Sequence, residues 1–109
     1  MRSSEVYEQN VAFWLMLNGY GHIQITPRTG DYGADILCED IYGRKWAVQC
    51  KHYSKPVGYK AIEEAIAGAH YYQCYGAMVV TNSTFTKQAQ KGAKRTGVIL
   101  WQKIVFAMQ

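Results

Sequence analysis

Little in this chain of 109 residues suits a membrane, a disulfide scaffold or a Cys/His metal centre. Its longest unbroken apolar run, Val11 to Leu17, has seven residues, where a bilayer-spanning helix needs roughly 18–20. Met1 is not followed by a signal peptide with a small-residue cleavage site. The cysteines number three, Cys38, Cys50 and Cys74, an odd count without CxxC spacing, which argues against a disulfide framework and a zinc knuckle alike. They read as small buried residues and not as nucleophiles. His22, His52 and His70 are scattered, so no ligand cluster of the Cys/His kind arises. No internal repeat, low-complexity tract or linker divides the chain. Residues 1–109 are expected to form one domain in a reducing, cytoplasmic setting, any membrane tether belonging to a longer parent protein.

What is present suits a packed domain, with 49% apolar and 18% charged residues. The charge is laid out unevenly. Residues 1–50 carry four basic and six acidic side chains, residues 51–109 eight basic and two acidic, and the formal net charge is +4. A basic half, in a chain with nine Tyr, three Trp and three Phe overall, suits an anionic polymer, and an acid-rich half suits a divalent cation. Charge alone decides nothing, because many basic soluble domains bind no nucleic acid.

Patterning predicts eight elements. Ser3 or Ser4 caps a first helix, with Glu5 and Glu8 near its positive end, and Asn18-Gly19 stops it. Its apolar run leaves no polar face: one side covers a sheet, the other, around Phe13 and Met16, meets a second subunit or a missing segment. His22–Thr26 is a short strand ended by Pro27, and Tyr32–Glu39 and Lys45–Tyr53 form a hairpin around residues 40–44. A helix follows from about Tyr59 to Gln73, with Ile62, Ala65, Ile66 and Ala69 inward. Ala77–Thr81 reads as a strand buried on both faces. Ser83 or Thr84 caps a last helix that packs through Phe85, Ala89 and Ala93 and is closed by Gly97, and Val98–Trp101 is the final strand. The expected fold is α/β, of order αβββαβαβ, a mixed sheet with helices on both faces.

The hairpin carries the chemistry. Centred on Tyr42, it pairs residues whose numbers sum to 84, which sets Asp35 opposite Gln49 and Gly33 opposite Lys51. Directly paired side chains share a sheet face with Cβ atoms about 4.5–5.5 Å apart, and Gln49 and Lys51 share that face with each other. Trp46, Val48 and Cys50 then point to the opposite, apolar face. A slip of one residue would set Asp35 among apolar neighbours. A carboxylate, an amide oxygen and an ammonium together suit Mg²⁺, which takes hard oxygen ligands and keeps several waters, and suit phosphodiester hydrolysis. The plainer alternative is a solvent-facing Asp35–Lys51 ion pair.

Gly30-Asp31-Tyr32-Gly33-Ala34-Asp35, Val48-Gln49-Cys50-Lys51 and Val80-Thr81-Asn82-Ser83-Thr84-Phe85-Thr86 with Ala89 resemble the catalytic domain of Mrr-type restriction endonucleases. These belong to the PD-(D/E)XK nuclease superfamily, and the resemblance runs from about Tyr7-Glu8 to Leu100-Trp101. It implies a three-layer restriction-endonuclease-like fold and a Mg²⁺-dependent DNA endonuclease, with Mn²⁺ able to substitute, acting in restriction or defence. It assigns Asp35 as metal-binding aspartate, Gln49 to the position usually held by glutamate, Lys51 as motif lysine and Glu8 as the helix-one acid, with Glu5 its rival. The Cys50 backbone carbonyl is a further ligand by the same analogy. Gln49 costs the site one negative charge, a variant typical of the Mrr branch that Glu8 can offset. Double-strand cutting further implies a homodimer on double-stranded DNA, and such domains are often joined to another DNA-binding or membrane segment.

Several residues have both a functional and a bland reading. Lys87, Lys91 and Lys94 form one face of the last helix, as phosphate contacts or as a solvated surface. His52 and Lys55 follow the motif lysine and can approach a DNA backbone. Thr81, Asn82 and Ser83 end the fourth strand, where polar groups meet ligands, although a helix cap explains Ser83 equally well. Asp31 reads as a turn cap, and Tyr71 and Tyr72 as core or interface. Two other functions share this fold. A structure-specific nuclease such as a Holliday-junction resolvase usually carries ExK. A non-catalytic DNA-binding module would not need Asp35, Gln49 and Lys51 together.

Overall fold

The computed structural model describes residues 2–27 and 32–107. Helix α1 (Ser3–Leu17) leads into strands β1 (Gly21–Ile25), β2 (Ile36–Glu39) and β3 (Lys45–Lys51). Helix α2 (Tyr59–Tyr71), strand β4 (Gly76–Thr81), helix α3 (Lys87–Thr96) and strand β5 (Ile99–Trp101) complete the order αβββαβαβ. The five strands lie in sequence order in one sheet. β1, β2 and β3 pair antiparallel, and β4 joins β3, and β5 joins β4, in parallel. Parallel neighbours need a crossover, and α2 and α3 supply the two.

Side-chain alternation divides the core between the sheet's faces. Ile36, Cys38, Trp46, Val48, Met78 and Val80 pack with Tyr7, Val11 and Leu15 of α1. Ala77 and Val79 pack with Ile62 and Ala65 of α2 and with Ala89 and Ala93 of α3. The remainder of α1 stays open: Phe13, Met16 and Leu17 are exposed, as its unbroken apolar run predicts.

The hairpin register is the expected one. Ile36 pairs with Val48, Leu37 with Ala47, Cys38 with Trp46 and Glu39 with Lys45. Asp40 fixes it at the turn. Its carboxylate accepts from the backbone N–H groups of Tyr42 (2.9 Å) and Arg44 (3.0 Å), from Arg44 Nε (2.8 Å) and from Trp46 Nε1 (3.0 Å).

Several boundaries differ from expectation. β2 begins at Ile36 and not at Tyr32, because Gly33 takes φ +86° and breaks the extended backbone. Ser3 and Ser4 lie inside the first turn of α1. Arg2 holds the cap position without a side-chain cap, its carbonyl accepting from Glu5 and Val6. Thr86 caps α3, accepting from the Ala89 N–H at 3.1 Å, so Ser83 and Thr84 do not. Gly97 closes that helix in the left-handed conformation at φ +80°. Asp31 lies outside the described residues. Among the cysteines Cys38 is buried and Cys50 and Cys74 are half-buried, all three as free thiols.

Candidate active site

Asp35 stands one residue before β2, and its backbone is held from both neighbouring strands. Its N–H donates to Val48 O (2.8 Å) and its carbonyl accepts from Thr26 N (2.9 Å). Thr26 Oγ1 also donates to Ala34 O at 2.7 Å. The Asp35 carboxylate accepts from the Cys50 backbone N–H at 2.8 Å, which ties it to β3 between Gln49 and Lys51.

Gln49 is buried. In the orientation that gives both ends of its amide a complementary partner, the nitrogen donates to Gly33 O (2.6 Å) and the oxygen accepts from Lys51 Nζ (3.2 Å). Lys51 Nζ also lies 2.9 Å from Glu64 Oε1 and 5.8 Å from the centre of the Tyr53 ring. Burial opposes the charge on Lys51. The hydrogen bond and attraction from Glu64, with smaller contributions from Tyr53 and Asp35, outweigh it and hold the ammonium above the ordinary lysine range. Lys51 is therefore a cation at neutral pH. Asp35, Gln49 and Lys51 do share one site, on the α2 side of the sheet.

Glu64 is the member that sequence reasoning missed. It lies on the half-exposed part of α2, where an acid reads as ordinary helix surface. Gly33, set opposite Lys51 by the hairpin register, opens no space there for a bulky group. α2 passes so close that a methyl at Gly68 would lie 2.5 Å from Gly33 O, and one at Gly33 would collide with the Glu64 carbonyl. Two glycines let the helix backbone touch the Asp35 loop, and a glycine at 68 in a helix was the available signal.

The remaining candidates spread around this centre. Glu8 is buried on α1, which covers the opposite face of the sheet. Its neighbour Tyr7 stacks on His52 (ring centroids 4.8 Å apart, 8° between planes) and donates to Ile104 O at 2.8 Å. Glu5 pairs with Arg2 at 3.0 Å. Asn82 spends its side chain on the protein itself: Oδ1 accepts from Tyr53 N (2.8 Å) and Nδ2 donates to Tyr53 O (2.9 Å). Thr81 Oγ1 donates to Lys51 O (2.7 Å) and Ser83 Oγ to Lys55 O (2.8 Å). These three side chains staple the segment after β3 to the end of β4. Lys55, Lys87, Lys91 and Lys94 are exposed. A cleft of about 420 Å³ beside the site is lined by Lys51, Tyr53, Lys55, Gly58, Lys60 and Glu64. Tyr71 is not core, being 55% exposed and stacked on Tyr32.

Among the described residues, no group of three or more His, Cys, Asp or Glu side chains gathers as a metal cage. The donors present are a carboxylate at Asp35, an amide oxygen at Gln49 and the main-chain carbonyl of Cys50. That sparse, all-oxygen set fits a hard cation that keeps most of its waters.

A mixed five-stranded sheet between helices, with Asp, Gln and Lys brought together at adjoining strand ends, has the restriction-endonuclease-like architecture. The chain belongs to the Mrr_cat restriction endonuclease family, whose model matches residues 2–107. No curated protein sequence matches it. It is similar in structure to AF1548, described as a protein of unknown function, at 21% identity over 94% of this chain and 61% of that one, with a TM-score of 0.72. A repair endonuclease from Pyrococcus abyssi is similar at 17% identity over 94% of this chain and 47% of that one, with a TM-score of 0.69. The DNA modification-dependent restriction endonuclease AspBHI is similar at 20% identity over 89% of this chain and 28% of that one, with a TM-score of 0.73. The chain thus spans less than two thirds of each of these proteins, and the likeness is one of fold.

Proposed function

We propose that this domain is a Mg²⁺-dependent endonuclease that hydrolyses phosphodiester bonds of double-stranded DNA, with Mn²⁺ able to replace Mg²⁺, in defence against foreign DNA. The observation that carries this reading is the meeting of Asp35, Gln49 and a charged Lys51 in one pocket beside a lysine-lined cleft. Membership of a restriction endonuclease family supports it.

Asp35, the Gln49 amide and the Cys50 carbonyl are the groups that would hold the ion, with Glu8 of α1 the further acid. When bound, such an ion lowers the pKa of a coordinated water and neutralises charge on the phosphoryl oxygens. The chain supplies the rest. Lys51, already an ammonium, faces the negative charge that builds on the phosphate and acts there as a cation and not as a base. Lys55 and Lys60, on the cleft wall, draw the flanking phosphates, and His52, stacked on the Tyr7 ring, is a further backbone contact. Asn82 holds the Tyr53 backbone, so its part is to shape the cleft. One site cuts one strand, and two copies joined through the exposed Phe13–Met16–Leu17 face of α1 would cut both.

Nicking of supercoiled plasmid tests the reading. Parent protein is expected to convert the plasmid only with Mg²⁺ or Mn²⁺, and Asp35→Asn and Lys51→Ala to lose at least about a hundredfold in rate. Substituted proteins that cut as fast as the parent would refute these roles. Parallel digestion of a four-way junction and a linear duplex tests for a junction-specific enzyme, which would spare the duplex.

A further inference from the structure

We propose that Glu64 is a positioning residue, which holds the Lys51 ammonium so that one of its N–H groups faces the arriving phosphate. The role of Lys51 rests on the nuclease reading above; how Lys51 is held rests on geometry.

The groups around Lys51 close a ring. Gln49 donates to Gly33 O (2.6 Å) and accepts from Lys51 Nζ (3.2 Å). Lys51 Nζ meets Glu64 Oε1 at 2.9 Å. The helix that carries Glu64 returns to Gly33 where the Gly33 and Gly68 backbones touch, with no room for a methyl group. Each member is fixed by the next. A lysine head has three N–H donors on a flexible four-carbon stem. Two of those donors face Gln49 and Glu64, which leaves the third for a phosphate oxygen in the cleft that Lys51 lines.

This pair is not an incidental surface contact. The Lys51 side chain is 15% exposed and that of Glu64 34%, so neither end is freely solvated, unlike the exposed pairs that contribute little. The position of Glu64 cannot drift, because α2 is seated backbone to backbone on the loop that carries Asp35. One rigid seat therefore sets both the acid of the site and, through Glu64, its cation. Glu64 also brings negative charge to a cleft that contains Lys55 and Lys60. An acid there weakens the hold on DNA, so its value must lie in placing Lys51.

Three variants test this. Glu64→Ala is expected to lower kcat at least tenfold, while the Kd for duplex DNA with Ca²⁺ in place of Mg²⁺ stays the same or tightens. Glu64→Gln keeps an acceptor at the same reach and should recover several-fold over alanine. Glu64→Asp keeps the charge but is one methylene shorter, and should resemble alanine while folding as the parent does. The ¹⁵N resonance of the Lys51 ammonium, visible when hydrogen bonds slow its exchange with water, should be present in the parent and Glu64→Gln proteins and absent from Glu64→Ala. If Glu64→Ala fails to fold, the comparison of Gln with Asp carries the test. Parental kcat in Glu64→Asp or Glu64→Ala, or a Gln variant as slow as alanine, would overturn the proposal. A parent that cuts no DNA would instead sink the nuclease reading, and the ammonium signal would still decide whether Glu64 holds Lys51.

Discussion

Gly68→Ala sets two physical expectations against each other. Helix propensity favours the alanine by about 1 kcal/mol in a helix interior. Packing opposes it, because the new methyl would lie 2.5 Å from Gly33 O, 2.6 Å from Gly33 C and 2.9 Å from Ala34 N. Carbon atoms sit comfortably about 3.5–4.0 Å apart, so α2 and the loop must part by about 1 Å. Those neighbours are backbone and cannot rotate away, which puts the cost at the upper end of the roughly 1–3 kcal/mol typical of overpacking. The net expectation is a destabilisation of about 2 kcal/mol, or roughly 10 °C in Tm for a domain of this size. The loop that moves carries Asp35 and the helix that moves carries Glu64, and a misplacement of about 1 Å at a reacting centre can cost on the order of a hundredfold in rate. Urea unfolding and plasmid nicking, measured below the variant's melting range, separate the two effects. A Gly68→Ala protein about 1 kcal/mol more stable than the parent and equally active would refute the close-approach argument.

Three further outcomes are expected. Burial pushes the Asp40 carboxyl up, but hydrogen bonds from Trp46, Arg44 and Tyr42 outweigh it and hold it well below the usual carboxylate range. A depressed folded pKa stabilises above the unfolded value, about 3.9, and the gain disappears as pH falls through the folded one; the gap in urea midpoint between parent and Asp40→Asn should therefore be full at about pH 6 and shrink below about pH 4, and a gap that widens in acid would contradict this. Burial first, then nearby Cys74 and Asp40, push the Cys38 thiol up to about 12, so peptide mapping after iodoacetamide treatment at about pH 8 should find Cys38 labelled long after Cys74, and equal rates would show a looser core. Changing Lys87, Lys91 and Lys94 together to Gln should flatten the log–log salt dependence of DNA binding by about 0.9 for each phosphate that is no longer neutralised, whereas an unchanged slope would make that face of α3 a solvated surface.

Much of this was legible in the chain. The hairpin register could be read because only one parity places Trp46, Val48 and Cys50 on an apolar face, and the same parity brings Asp35, Gln49 and Lys51 together. Gly97 and the apolar crossover strand were equally plain, since each has a local cause. Glu64 was not legible: its importance comes from a helix docking onto a loop about thirty residues earlier, and no local pattern encodes that approach. Asn82 was ambiguous for a similar reason. A polar residue at a strand end looks the same whether it reaches a ligand or, as here, the backbone of Tyr53. The late start of β2 follows from Gly33, whose left-handed backbone serves the approach of the helix at the expense of strand length.

β1 is an outer strand of the sheet, and its pairing with β2 is irregular between Gly21 and Gln24, where His22 adopts φ +49°. A margin bent in this way offers no straight row of amide and carbonyl groups along which another chain can zip. Copies of this domain are therefore steered away from joining edge to edge along β1 into a continuous ribbon.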